Sequence, residues 1–133
     1  PSGSFPVTGL TTRWYADMLG QEPYYSVPGP DDTPAYIEFR IGDHQDELGF
    51  IDRRFAPPGA ADRPGGALVH WHVDDVGATV ARLLELGATE YEPITQRGES
   101  WVTAAVLDPF GNVLGLMYNP HWVEMVDKLG PLT

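Results

Sequence analysis

The sequence predicts an α+β fold: two βαβββ modules forming a cupped mixed sheet with the helices outside. Three observations carry this prediction. A proline- and glycine-rich segment divides the 133 residues near their middle. On each side of it an amphipathic helical pattern runs into a Leu-Gly stop, Leu19-Gly20 and Leu86-Gly87. After each stop come short apolar segments separated by turn residues, the pattern of strands.

The elements follow in order. A short first strand is expected over Ser4–Val7 and a helix over Thr11–Leu19. There Trp14 and Met18, and Tyr15 and Leu19, lie four apart and share a stripe, with Arg13 and Asp17 facing water. Gly20 suits the left-handed position that ends a helix. Strands are expected over Glu22–Val27, Ala35–Ile41 and Glu47–Asp52, broken by Pro28-Gly29-Pro30-Asp31-Asp32 and by Gly42-Asp43. Ala56–Gly66 holds three prolines and three glycines in eleven residues and can form neither ladder nor helix.

The second half repeats this order. Ala67–Val73 reads as a strand. Asp74 or Asp75 caps a helix reaching about Leu86, with Val76, Val80, Leu83 and Leu84 as its apolar stripe. Thr89–Ile94, Trp101–Leu107 and Asn112–Tyr118 read as strands, the last two joined through Asp108-Pro109-Phe110-Gly111-Asn112. A helix over His121–Leu129 closes the chain, with Trp122, Val123 and Val126 apolar. The boundaries are module one at 1–55, linker at 56–66, module two at 67–120 and terminal helix at 121–133, all within one domain.

Composition removes several functions. Eight basic against 19 acidic residues give a formal charge of -11, which repels a phosphate backbone, so no nucleic-acid partner is expected. No cysteine is present, which excludes a disulfide framework, a thiolate nucleophile and cysteine-ligated metal. No apolar run approaches the roughly 20 residues of a membrane span, and no signal-peptide pattern is visible. A cytoplasmic protein with no membrane partner is the expectation. Arginine over lysine, with 15 Gly and 13 Pro, points to GC-rich bacterial coding. No Gly-x-Ser-x-Gly elbow, phosphate-binding glycine loop or dinucleotide fingerprint occurs.

The βαβββ repeat, WYADMLG (Trp14–Gly20) and DPFGNVLGLMYNP (Asp108–Pro120) resemble the glyoxalase/bleomycin-resistance/extradiol-dioxygenase superfamily, the vicinal oxygen chelate proteins. The resemblance spans essentially the whole chain and is firmest over Leu68–Pro120. It implies paired modules without implying one reaction, since the family includes isomerases, ring-cleaving dioxygenases and drug-sequestering proteins. The first module departs from the pattern: Gly9 stands where the family usually has a helix-capping Asp.

The resemblance also implies where metal-using members place His or Glu ligands, on the first and last strands of each module. Carried over singly, these positions fall near Ser2, at about Gly49 with Glu47 as the same-face alternative, at Leu68 and at Gly115. A divalent ion needs three or four donors at about 2.0–2.3 Å. Leu68 and Gly115 offer none, so no metal or other cofactor is expected.

Strand alternation places Leu68, His70 and His72 on one face, with Val69, Trp71 and Val73 on the other, under the helices. The cavity set is completed by Trp101, Thr103, Ala105 and Leu107, by Val113, Gly115 and Met117, and by Glu47, Gly49 and Ile51. The candidate ligand-binding residues are therefore His70, His72, Trp101, Thr103, Met117, Glu47 and Val113. This largely apolar set suits a small organic ligand. The His70-x-His72 pair has two readings. It can supply two ligands or a general base, or both rings can be satisfied polar groups in a wet cavity. The expected function is metal-independent binding of an apolar or aromatic molecule. The alternative is a lyase or dioxygenase with a rearranged metal site built from His70, His72 and Glu47 or Glu38. A homodimer is expected, using Trp122, Val123 and Val126.

Overall fold

The computed structural model describes residues 7–59, 63–64 and 66–130. The chain forms two compact units, Pro1–Ala60 and Ala61–Thr133, which divide inside the proline- and glycine-rich segment.

In the first unit, helix α1 (Val7–Leu19) precedes strands β1 (Tyr25–Val27), β2 (Tyr36–Ile41) and β3 (Asp46–Ile51). The strands form an antiparallel sheet in chain order. A 3-10 turn occupies Arg53–Phe55, and Pro30–Asp32 forms a kinked turn in which Asp31 and Asp32 take left-handed backbone angles, with φ of 62° and 56°. Alternation along β2 sorts the sheet into two faces. Ile37 and Phe39 are almost wholly buried. Tyr15 of α1 is fully buried and packs its ring 4.2 Å from that of Phe50, which meets Phe39 edge-on. This aromatic cluster docks the helix. Arg13 and Asp17 sit outside it as an exposed pair at 3.6 Å. The helix ends where expected: the Gly20 amide donates to the Ala16 carbonyl, and its φ of +69° is one that side chains resist.

The start of this unit differs from expectation. Helix α1 begins at Val7, so Val7 is helical rather than the end of a strand. Ser4–Pro6, the rest of that predicted strand, lie outside the described residues. Gly9 lies inside the helix, with open space around its α-carbon. A helix tolerates such a glycine at roughly 0.5–1 kcal/mol relative to Ala, less than the roughly 1.5–3 kcal/mol from burying one large side chain such as Tyr15.

In the second unit the order is β4 (His70–His72), α2 (Val76–Glu85), β5 (Thr89–Gln96), β6 (Val102–Leu107), β7 (Val113–Tyr118) and α3 (Pro120–Leu129). The sheet is mixed, in the order β4-β7-β6-β5, with β4 parallel to β7 and the other pairs antiparallel. Asp75 caps α2 by accepting from the Ala78 amide at 2.9 Å. Val76 and Leu83 are buried where α2 lies along β5, β6 and β7, and Ala104, Val106, Leu114 and Leu116 supply the buried apolar side of the sheet. Leu84, expected in the same stripe, is exposed. Asn119 caps α3 by accepting from the His121 amide, and Pro120 opens the helix.

Strand β4 is shorter than the expected Ala67–Val73. Val69 precedes the ladder and is 68% exposed, so it does not pack under a helix. The motif at the β6–β7 hairpin has a structural account. Asp108 is buried, and one carboxylate oxygen accepts from the amides of Phe110 and Asn112, both at 2.8 Å. The other accepts from the Asn112 side chain. Both oxygens are thus engaged in holding the turn.

Candidate functional site

Strand register assembles one face of the second sheet. His70 pairs with Gly115, which pairs with Ala105; His72 pairs with Met117, which pairs with Thr103. Residues paired directly across a ladder share a face. His70, His72, Thr103, Ala105, Val113, Gly115 and Met117 therefore lie together, opposite the face that meets α2. Thr103 and Ala105 are buried, and Val113 and Met117 are half-buried.

Gly115 is required by the path of β4. A Cβ there would lie 2.6 Å from the Val69 carbonyl oxygen and 3.0–3.1 Å from the imidazole carbons of His70. The imidazole therefore rests on the bare α-carbon of β7. His72 has a different environment. Its ring stacks on Trp122 of α3, with centroids 4.5 Å apart and planes at 21°, and lies 5.4 Å from that of Tyr118. Its Nε2 is buried and has no hydrogen-bond partner among the described residues.

Trp101 stands just outside β6 and is 41% exposed. It is not packed beneath α2. The Arg97 amide donates to the Trp101 carbonyl at 2.7 Å, which continues the pairing of Gln96 with Val102 by one step. By alternation Trp101 lies on the side of Thr103. Arg97 Nε donates to Thr103 Oγ1 at 2.9 Å, so the guanidinium lies over the same face. Arg97 escaped the sequence reading because its position depends on the register of a hairpin.

Glu47, the remaining predicted residue, belongs to the first unit. Its carboxylate pairs with Arg40 at 3.0 Å. Arg40 also approaches Glu38 at 3.4 Å and lies over the Tyr24 ring, 4.5 Å from its centroid. Glu38 is buried and accepts from the Tyr36 hydroxyl at 3.0 Å. Burial, reinforced by that bond to the carboxylate, raises the Tyr36 phenol above its ordinary pKa. Tyr36, Glu38, Arg40, Glu47 and Gly49 share the face opposite Phe39 and Phe50. A Cβ on Gly49 would collide with the Tyr36 ring and hydroxyl. The signal for Tyr36 and Arg40 was present in YIEFRI, where every second residue is polar or amphipathic.

Of the positions where the resemblance implies metal ligands, that near Ser2 lies outside the described residues and Leu68 is apolar. Gly49 and Gly115 carry no donor, and rings occupy the space where one would project. Among the described residues no three His, Asp or Glu side chains converge as a metal-binding set. The residues present at these positions do not fit the metal. His44 and His121 are exposed. Arg54 is bonded to Asp52 at 2.9 Å and to Asp31 at 3.3 Å. No helix among the described residues is long and apolar enough to cross a membrane.

Comparison with known proteins agrees with this architecture. A solution structure of an Agrobacterium tumefaciens protein is similar at 22% identity, covering 84% of this chain and 87% of that one, with a TM-score of 0.67. The crystal structure of a glyoxalase-related enzyme from Fulvimarina pelagi is similar at 18% identity, covering 84% and 80%, with a TM-score of 0.64. That of a glyoxalase/bleomycin resistance protein/dioxygenase family enzyme from Burkholderia phytofirmans PsJN is similar at 19% identity, covering 84% and 89%, with a TM-score of 0.61. At these identities the likeness is one of fold. No curated protein matches the sequence. The model of the Glyoxalase/Bleomycin resistance protein/Dioxygenase superfamily matches residues 10–116, most of the chain, and the chain belongs to that superfamily.

Proposed function

We propose that this chain is a metal-independent small-molecule-binding member of the superfamily, taking an apolar or aromatic ligand on the His70–His72 face of its second unit. The observation that carries the reading is the pair of covered glycines. At Gly115 and at about Gly49, where the resemblance implies ligands in metal-using members, the glycines carry no donor and the His70 and Tyr36 rings lie against them. What remains on the second face is half-buried apolar surface from Val113 and Met117, with the imidazoles and an exposed indole as polar or stacking groups. This combination suits a small organic molecule.

The test is thermal denaturation with added nickel, zinc, iron or manganese, together with an assay on the hemithioacetal of methylglyoxal. Ligands that bind the native state raise the melting temperature by mass action. No saturable shift and no turnover are expected. One observation favours the alternative lyase or dioxygenase: His72 Nε2 is buried without a hydrogen-bond partner among the described residues. A saturable metal shift that His72→Ala or His70→Ala abolishes would support that alternative instead.

The proposal includes a homodimer. Trp122, Met125 and Leu129 are exposed on α3 at helical spacing, while Val123 and Val126 are half-buried. Of the expected apolar set Trp122 is exposed, and Met125 and Leu129 extend the surface in place of Val123 and Val126. Sedimentation at tens of micromolar, on the order of a common affinity range, should show the dimer; monomer alone would contradict it.

A further inference from the structure

We propose that the ligand of the second unit is a planar aromatic anion, with Arg97 binding its carboxylate and Trp101 stacking its ring. The inference rests on the reading of the His70–His72 face as the ligand face. It arises from the β5–β6 hairpin, which the sequence reading did not use.

The hairpin fixes both groups. Gly98, Glu99 and Ser100 reverse the chain, with the Trp101 amide returning to the Gly98 carbonyl and Ser100 at a φ of +62°. A left-handed serine is uncommon and persists when surrounding contacts impose it. Here the turn sets Trp101 opposite Arg97, and alternation puts both on the face of Thr103, Met117 and His72. Trp101 is anchored through its backbone yet leaves its side chain substantially exposed.

Arg97 is held at one edge only. Its Nε donates to the hydroxyl of Thr103, which is 6% exposed and therefore a fixed anchor. The terminal nitrogens make no hydrogen bond among the described residues. Their one carboxylate neighbour among the described residues is Glu92, 4.0 Å away, with both side chains nearly half exposed. A pair at that distance and exposure holds the guanidinium weakly. Arg97 therefore offers free donors in a planar fork, the geometry that binds a carboxylate. The exposed indole beside it provides a stacking surface. A neutral apolar ligand would leave the guanidinium unused, and a cation would meet Arg97 at contact. The formal charge of -11 gives no long-range attraction for an anion, so discrimination must come from these contacts.

The experiment is calorimetric titration of the full chain with 2-naphthoate and with its neutral counterpart, 2-naphthalenemethanol. The acid is expected to bind about tenfold more tightly, the scale of one hydrogen-bonded charge contact. Arg97→Gln should bring the acid down to the affinity of the alcohol. Arg97→Lys, which keeps the charge without the fork, should retain part of the preference. Equal affinities in the unmodified protein would overturn the anion inference and leave small-molecule binding standing. A preference that persists in Arg97→Gln would overturn the role given to Arg97. No saturable binding of either probe would overturn the inference together with the reading beneath it.

Discussion

Gly49 and Gly115 lie on the strand that comes last in the chain order of each unit, and each is covered by an aromatic ring from a neighbouring strand. What stands behind the rings differs. At Gly49 the nearest intruding atoms belong to the Tyr36 side chain, tethered by one hydrogen bond to Glu38. At Gly115 the nearest atom is the backbone carbonyl oxygen of Val69, with the His70 ring just beyond. A side chain can rotate away, whereas a carbonyl moves only with its strand. The first unit's face is therefore shaped by a polar network, and the second unit's by the path of the chain.

The largest effect should come from Gly115→Ala. The added methyl group meets backbone, and such overpacking costs typically about 1–3 kcal/mol. Thermal unfolding followed by circular dichroism should show a loss of several degrees. An unchanged melting temperature would mean that β4 does not approach β7 this closely.

Gly49→Ala should cost less, about 0.5–1.5 kcal/mol, the usual worth of the one hydrogen bond lost when Tyr36 swings aside. A double-mutant cycle sharpens the contrast: Tyr36→Phe should add almost nothing in the Gly49→Ala background, because the same bond is already broken. Additive losses would show that Gly49 matters for some other reason.

This contrast was only partly legible in the sequence. Leu19-Gly20, Leu86-Gly87 and the Asp74-Asp75 pair announced where helices stop and start, because those positions act through local backbone chemistry; the structure selects Asp75 as the cap. The DPFGN segment announced the β6–β7 hairpin, and the structure shows Asp108 holding it. Alternation correctly grouped His70 with His72, and Thr103 with Ala105, since a strand has a fixed period. It failed at Val69, where the ladder had not begun and the residue turned outward. It was silent about Arg97, whose position follows from a five-residue return between strands. It saw Gly49 and Gly115 as missing donors, but not the rings against them, because those contacts lie between strands and depend on register.

A smaller effect, confined to high pH, isolates the first unit's network. The Tyr36 phenol titrates above its ordinary value of 10.0 in the folded chain. The folded state thus holds this proton more tightly than the unfolded state. The resulting stabilisation is complete below the ordinary phenol range and is lost as pH rises through the folded value. Denaturant unfolding should therefore show stability declining above about pH 10. Tyr36→Phe should flatten that part of the decline. An identical profile in both proteins would remove the Tyr36–Glu38 bond from the account.

The central claim is that the second unit's face binds an organic ligand without metal. It is tested most directly by titrating chelator-treated protein with 2-naphthoate in a calorimeter, then repeating the titration after adding zinc or manganese. The account predicts saturable binding in the metal-free protein, with an affinity that the added ion leaves unchanged. Binding that appears only once metal is restored would contradict it.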